Sequence, residues 1–316
     1  MTTSSTPSNP RPTLSVGLAN FGNTFAAGEW RQFVDLGRAA EDAGIDRVVV
    51  VDHVVMGPHT EKYVWGKFPV PPDAPWLEPL TMLTAISTVT SRVRLATGIL
   101  IAPLRPAAFL AKQVATLDQM SDGRVDLGVG TGWQREEYEA QGLDFDQRGQ
   151  LLDDALAACR VLWRDTPAAL DAPTLSFRDI YCEPKPVQPG GVPIWIAGTL
   201  HARNLARLVQ YGAGWIPIMG ESIEGIAAGI VRIREAFAAA DRDPAELQVQ
   251  APVRMVMGDD KRPALDASMA SVPDLVAAGA TDVIVTLKAF ARDAAAGPDA
   301  MARICKAFDA VTGERK

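Results

Sequence analysis

RVRLATGILIAPLRPAAFLAKQVATLDQMSDGRVDLGVGTGWQREE, residues Arg92–Glu137, holds two apolar strands that end in glycine-rich tips, ATGI and GVGTGW, with one amphipathic helix between them. In a repeated β/α architecture the carboxyl ends of strands are where a scaffold offers bare backbone to a ligand. Gly98, Gly128, Gly130 and Gly132 carry no Cβ, so a flat ring or an unusual peptide geometry can lie against the main chain there.

The same alternation extends in both directions along the chain. Upstream, Leu14–Ala19 reads as a strand and Glu29–Ala43 as a helix whose apolar stripe stops at Gly44. The β-branched run Arg47–Val51 reads as a buried parallel strand, and Pro79–Thr88 as a helix. Within the quoted stretch Val93–Gly98 and Val125–Gly130 are strands around the helix Pro106–Met120. Downstream the pattern predicts helix Gln150–Trp163, strand Pro193–Ala197, helix Leu200–Tyr211, strand Gly214–Ile218 and helix Glu221–Ala240. Strand Leu247–Val253, helix Ala264–Ala278, strand Asp282–Thr286 and a helix from about Ala289 to Val311 complete it.

Eight β/α pairs in 316 residues match a (β/α)8 TIM barrel, which takes about 250 residues plus insertions. A doubly wound open sheet, the competing arrangement, rarely needs eight regularly spaced units. Two connections are long, Asp52–Glu78 after strand two and Arg164–Val192 between helix four and strand five; the latter, with FRDIYCEPKPVQ, is expected to add a hairpin or flap. Residues 1–12 are expected to be a disordered tail and residues 13–316 one barrel domain, because no Gly/Ser/Pro-rich linker divides the middle of the chain.

At 47% hydrophobic and 22% charged residues the chain can bury a large core. Its net charge of −7 argues against nucleic acid or an anionic membrane as the main partner. No apolar run of about 18 residues is present, and the opening MTTSSTPSNPRPT has no apolar leader segment, so cytoplasm is the expected compartment. The cysteines, Cys159, Cys182 and Cys305, are widely spaced and odd in number, which disfavours a disulfide framework or a zinc knuckle.

Three places could carry chemistry. His53 follows Asp52 directly after strand two; a lone loop histidine is often structural, but catalytic groups in this architecture project from strand ends. His59 and His201 form neither HxH nor HExxH spacing with it, and no metal is expected. GVGTG at 128–132 fails as a dinucleotide fingerprint, since its sixth position is Trp133 and it closes a fourth strand. Trp133 offers an aromatic wall, and Glu136 and Glu137 begin the turn that follows. Finally, Ala197, Gly198 and Thr199 lead from strand five into a helix, with Thr199 as the expected N-cap and free N–H groups suited to a phosphate. Trp215 lies next door in sequence.

From Leu14 to Thr286 these segments in order, AEDAGIDRVVVVDH, PPDAPWLEPLTML, the long stretch quoted first and VPIWIAGTLHARNLARLVQYGAGWIP, resemble the luciferase-like monooxygenase superfamily. The nearest likeness is to its subgroup of oxidoreductases that use coenzyme F420, an 8-hydroxy-5-deazaflavin. That resemblance implies His53 beside the reactive C5 of the ring, as the catalytic group, with Asp52 next to it. It also implies a non-proline cis peptide at Gly98–Ile99 against the ring's back face, with Thr97, Gly130, Thr131, Gly132, Glu136, Ala197, Gly198 and Thr199 completing the cofactor site. Asn20, Trp65, Trp133 and Trp215 are the expected substrate pocket. Members that oxidise a sugar phosphate carry a Glu where this chain has Trp133, which turns the expectation toward a more apolar substrate; Ile101 likewise stands where a polar residue is common. The implied activity is hydride transfer between the deazaflavin and a small organic substrate, in a homodimer. The alternatives are an FMN-dependent monooxygenase served by a separate reductase, a non-catalytic flavin or deazaflavin carrier and, more distantly, a metal-dependent barrel enzyme.

Overall fold

The structure, a computed structural model, describes residues 11–22 and 29–313. Strands β1 (Thr13–Gly17), β2 (Arg47–Val50), β3 (Arg94–Thr97), the two-residue β4 (Leu100–Ile101) and β5 (Val125–Gly130) alternate with helices α1 (Arg31–Ala43), α2 (Pro79–Ser87) and α3 (Ala107–Met120). A short α4 (Arg135–Ala140) and a long α5 (Arg148–Arg164) precede a hairpin of β6 (Ala168–Asp171) and β7 (Ser176–Ile180). The second half runs β8 (Ile194–Ala197), α6 (Ala202–Tyr211), β9 (Gly212–Ile216), α7 (Ile223–Ala239), β10 (Gln248–Pro252), α8 (Leu265–Met269), α9 (Val272–Ala277), β11 (Asp282–Thr286) and α10 (Gly297–Thr312).

The sheet runs β3-β2-β1-β11-β10-β9-β8-β5-β4, and β3 also pairs with β5, Leu95 opposite Val125, which closes eight parallel strands into a (β/α)8 TIM barrel. Continuous apolar runs such as RVVV in β2, buried at every position, suit strands covered on both sides. One buried cluster takes residues from every barrel strand, Leu14, Val48, Leu95, Val125, Ile194, Trp215, Val249 and Val283 among them. Near the strands' amino ends the interior is ionic. Arg47 pairs with Asp126 at 2.9 Å and Asp282 at 2.8 Å, and Gln250 and Ser15 also donate to Asp282. Burial opposes these charges, but the neighbouring guanidinium groups of Arg47 and Arg94 still hold the Asp126 carboxyl below its ordinary range.

The expected hairpin in the second long connection is β6–β7, paired antiparallel with Leu170 opposite Phe177. Gly44 ends α1 in the left-handed conformation, φ 93°. Prolines move three boundaries. The expected helix Ala264–Ala278 is two, because Pro273 has no N–H for a bond to Met269 and sits instead in the first turn of α9. The last helix begins at Gly297 rather than near Ala289, with Pro298 in its first turn. Strand β9 ends before Pro217, two residues earlier than expected. Of the expected tail, residues 1–10 lie outside the described residues, whereas Arg11 pairs with Asp309 and stacks over Phe308. Among the described residues no helix is long and apolar enough to cross a membrane.

Candidate active site

His53 stands just beyond β2, at the carboxyl end of the barrel, and its side chain is 10% exposed. Its Nδ1 lies 2.9 Å from Oε2 of Glu137, whose side chain is fully buried, while Oε1 of the same carboxylate accepts the Val54 N–H at 3.0 Å. An ionised carboxylate only accepts, so the proton lies on Nδ1 and the other ring nitrogen, Nε2, is left for a ligand. Gln134, also buried, takes the Gly57 N–H on Oε1 at 2.9 Å and returns a bond from Nε2 to the Gly57 carbonyl at 3.3 Å. Residues 53–57 are thereby strapped to the start of α4.

Aromatic rings surround the imidazole. Trp76, Phe68 and Trp133 meet it edge-on, with centroids at 4.6, 5.6 and 6.1 Å. Tyr63 joins the group through Phe68 and Trp133, Trp65 packs on Tyr63, and Phe21 stacks on Trp76 at 4.3 Å. Most of these rings come from the long loop after β2, which explains its length: it brings the wall of the site.

Bare backbone lies beside this group. The Gly98–Ile99 peptide is cis, as the resemblance implies. A Cβ on Gly128 would stand 2.0 Å from the Thr97 carbonyl oxygen, so that glycine is required by close approach, whereas one on Gly130 would meet the terminal Cδ1 of Ile99 at 2.8 Å, an atom free to turn aside. The Thr131 carbonyl accepts from the Tyr138 hydroxyl, and Gly132 turns the chain at φ 67° over Ile101. At the end of β8, Gly198 adopts φ 107°, and its turn is held by Asn204 Nδ2 on the carbonyls of Ala197 and Thr199 and by Trp215 Nε1 on the Gly198 carbonyl.

Several expected site residues are placed otherwise. Asp52 is not free for a cofactor: Arg105 grips both its oxygens at 2.7 and 3.0 Å and the Ile101 N–H donates to it at 2.9 Å. It therefore anchors the segment that follows the cis bond. Glu136 points to the loop's outer side, with Oε1 3.2 Å from Lys62 Nζ; its neighbour Glu137 is the carboxylate that faces His53. Thr97 donates its hydroxyl to the Gly128 carbonyl at 2.7 Å, a bond within the barrel wall. Asn20 is fully buried, with Nδ2 on the carbonyls of Val51 and Leu77 and Oδ1 accepting from Val51 N–H, so it ties strand ends together instead of lining a pocket. Trp215 turns outward from β9 to pack on Gly229 of α7, away from the rings around His53. The N-cap of α6 is His201 and not Thr199, because the helix starts at Ala202 and Asn204 N–H reaches the His201 ring.

Arg105, Gln134, Trp76, Phe68 and Tyr63 are the site residues that sequence reasoning missed; it notes Glu137 with Glu136 after Trp133, but Glu136 is the one it expects at the cofactor. A signal existed for Gln134 and Glu137. Tyr138 marks the inward side of α4; Gln134, four residues earlier, shares that side and Glu137 flanks it.

A closed barrel with a histidine–carboxylate pair set among aromatic rings at its carboxyl mouth has the form of a TIM-barrel enzyme site. The chain belongs to the luciferase-like monooxygenase family, whose model matches residues 13–309. An uncharacterized protein of Mycobacterium tuberculosis is 35% identical over 167 residues, which cover 53% of this chain and 58% of that protein. An FMNH2-dependent dimethylsulfone monooxygenase of Pseudomonas putida is 32% identical over 166 residues, 51% of this chain and 45% of that protein. The chain thus aligns with about half the length of these curated relatives. Among solved structures, an F420-dependent secondary alcohol dehydrogenase in complex with an F420-acetone adduct superposes with TM-score 0.74 at 16% identity, over 95% of this chain and 99% of the other, a likeness of fold.

Proposed function

We propose that this chain is a deazaflavin-dependent oxidoreductase acting on a small, largely apolar organic molecule, and the pairing of His53 with buried Glu137 inside an aromatic wall carries that reading. The residues present fit a planar cofactor: Gly132 turns the chain at φ 67° beside Trp133 with no side chain of its own, and the Gly198 turn, at φ 107°, is held by Asn204 and Trp215. Ile99, Gly130, Thr131 and Gly132 would hold the ring, and Ala197, Gly198 and Thr199 its phosphate-bearing chain, near the first-turn N–H groups of α6. When bound, coenzyme F420 supplies a ring carbon that gives or takes a hydride. With its proton on Nδ1 committed to Glu137, His53 has an Nε2 that accepts the proton of a substrate hydroxyl as the alcohol is oxidised and, as imidazolium, returns it when a carbonyl is reduced, and the rings of Phe68, Trp76 and Trp133 keep water away. The reading carries with it a homodimer in the cytoplasm.

A second reading, an FMN-dependent monooxygenase fed by a reductase, is favoured by the likeness to the dimethylsulfone enzyme. Anaerobic turnover separates them. Reduced F420 should be oxidised by a carbonyl acceptor without oxygen, and His53→Ala should lower that rate by about 10² or more with the fold intact. Turnover seen only with reduced FMN and oxygen would establish the second reading, and an unchanged rate in the variant would make His53 structural.

A further inference from the structure

Two donors in the aromatic wall have no acceptor among the described residues. The indole Nε1 atoms of Trp76 and Trp133 are both buried, and neither has a hydrogen-bond partner there. Buried donors are almost always satisfied, and one left alone costs stability unless a ligand completes it. These two belong to the rings that flank His53 from the long loop and from the turn after β5, with centroids 4.6 and 6.1 Å from the imidazole. Trp163 and Trp215 show the satisfied case, with Nε1 on the carbonyls of Ala111 and Gly198, each at 2.9 Å; Trp195, beneath Arg47 in the barrel interior and apart from these rings, is a third indole with no partner among the described residues.

Charge narrows the class of ligand. Glu137 lies against His53, whereas Glu136 pairs with Lys62 on the loop's outer side. The buried Glu137 carboxylate disfavours an anion beside it, and the edge-on rings of Phe68 and Tyr63 favour an apolar body. We propose that Trp76 and Trp133 are specificity-determining residues that donate their indole N–H groups to a neutral hydrogen-bond acceptor, of the carbonyl type, on an otherwise apolar substrate. The proposal rests on the reading above that the substrate lies over His53.

The test compares acetophenone with α-methylstyrene, which replaces the carbonyl oxygen by a methylene of similar shape, by calorimetric titration of the protein alone and with F420 or FMN added. Acetophenone should bind at least about tenfold more tightly, a difference of about 1.4 kcal/mol. Trp76→Phe and Trp133→Phe should each shrink that ratio several-fold while leaving the hydrocarbon's affinity unchanged. Replacement of either indole by benzothienylalanine, which keeps the ring shape and removes the N–H, provides the same comparison should a phenylalanine variant unfold. Equal affinity for the two probes, no binding of acetophenone, or variants that weaken F420 or FMN binding while preserving the probe ratio would each overturn the proposal, the last by assigning the donors to the cofactor. Failure of both cofactors to bind while acetophenone keeps its indole-dependent preference would instead refute the proposed function and leave these donors assigned.

Discussion

Asp52 and His53 are neighbours in the chain, yet their side chains join different networks, and that division organises the site. Asp52 faces Arg105 and the Ile101 N–H, and its carboxylate has no exposure. Removing its partner would strand a buried charge, so Arg105→Met should cost about 3–5 kcal/mol in a urea unfolding titration. A loss below about 1 kcal/mol would show that Asp52 does not depend on this pair. Glu137 acts through His53 as a positioning residue. Glu137→Gln should lower turnover by about 10² and shift the ¹⁵N resonance of His53 Nδ1, because an amide no longer selects the Nδ1-protonated form. A variant with wild-type turnover and an unmoved resonance would deny Glu137 that part. The sequence pointed to the dipeptide Asp52–His53 and to the pair Glu136–Glu137 but could not distinguish within them. Neighbouring residues of like chemistry differ only in the direction they face, and that depends on where α4 docks.

At the scale of elements, packing between strands and helices decides which substitutions matter. Glu41, near the end of α1, accepts backbone N–H bonds from Ser91, Arg92 and Val93 and so fixes the approach to β3. Partial burial opposes its charge, but those three bonds outweigh it and bring its pKa from 4.5 down to about 2. A depressed carboxylate contributes stability that is complete above the unfolded value and is lost as pH falls through the folded one. The melting-temperature difference between wild type and Glu41→Gln should therefore be full above pH 4.5 and close towards pH 2. A difference independent of pH would contradict this assignment. Gly128 poses a steric case: an added Cβ would lie 2.0 Å from the backbone oxygen of Thr97, where no side chain can yield. Gly128→Ala should cost about 1–3 kcal/mol of stability, read as a lower denaturation midpoint, and an unchanged midpoint would mean that β3 and β5 separate freely. Strand positions and the hairpin were legible because apolar runs and turn residues report local structure directly. Helix breaks at Pro273 and Pro298 were equally local signals, overridden by the apolar periodicity around them. Trp65 and Trp133 were legible as pocket residues, but the rest of the wall was not, since it forms when the loop folds back over the barrel and brings Tyr63, Phe68 and Trp76 to Trp133.

For the whole molecule, the barrel separates a sealed end from a reactive one. Arg47, Asp126 and Asp282 close the interior near the strands' amino ends, while His53 and its rings occupy the other end. Burial extends to all three cysteines, and it pushes the Cys159 thiol up to about 12. A thiol reagent at neutral pH should find no reactive group in the native protein and three after denaturation; a rapidly titrating thiol in native conditions would show that the shell of helices opens. The central claim is that this mouth binds a deazaflavin ring beside His53, and an equilibrium titration with oxidised F420 and with FMN, followed by absorbance and fluorescence, tests it most directly. Saturable binding of F420 well ahead of FMN, weakened by Gly198→Val, is the predicted result. Binding of FMN in preference to F420, or of neither, would contradict it.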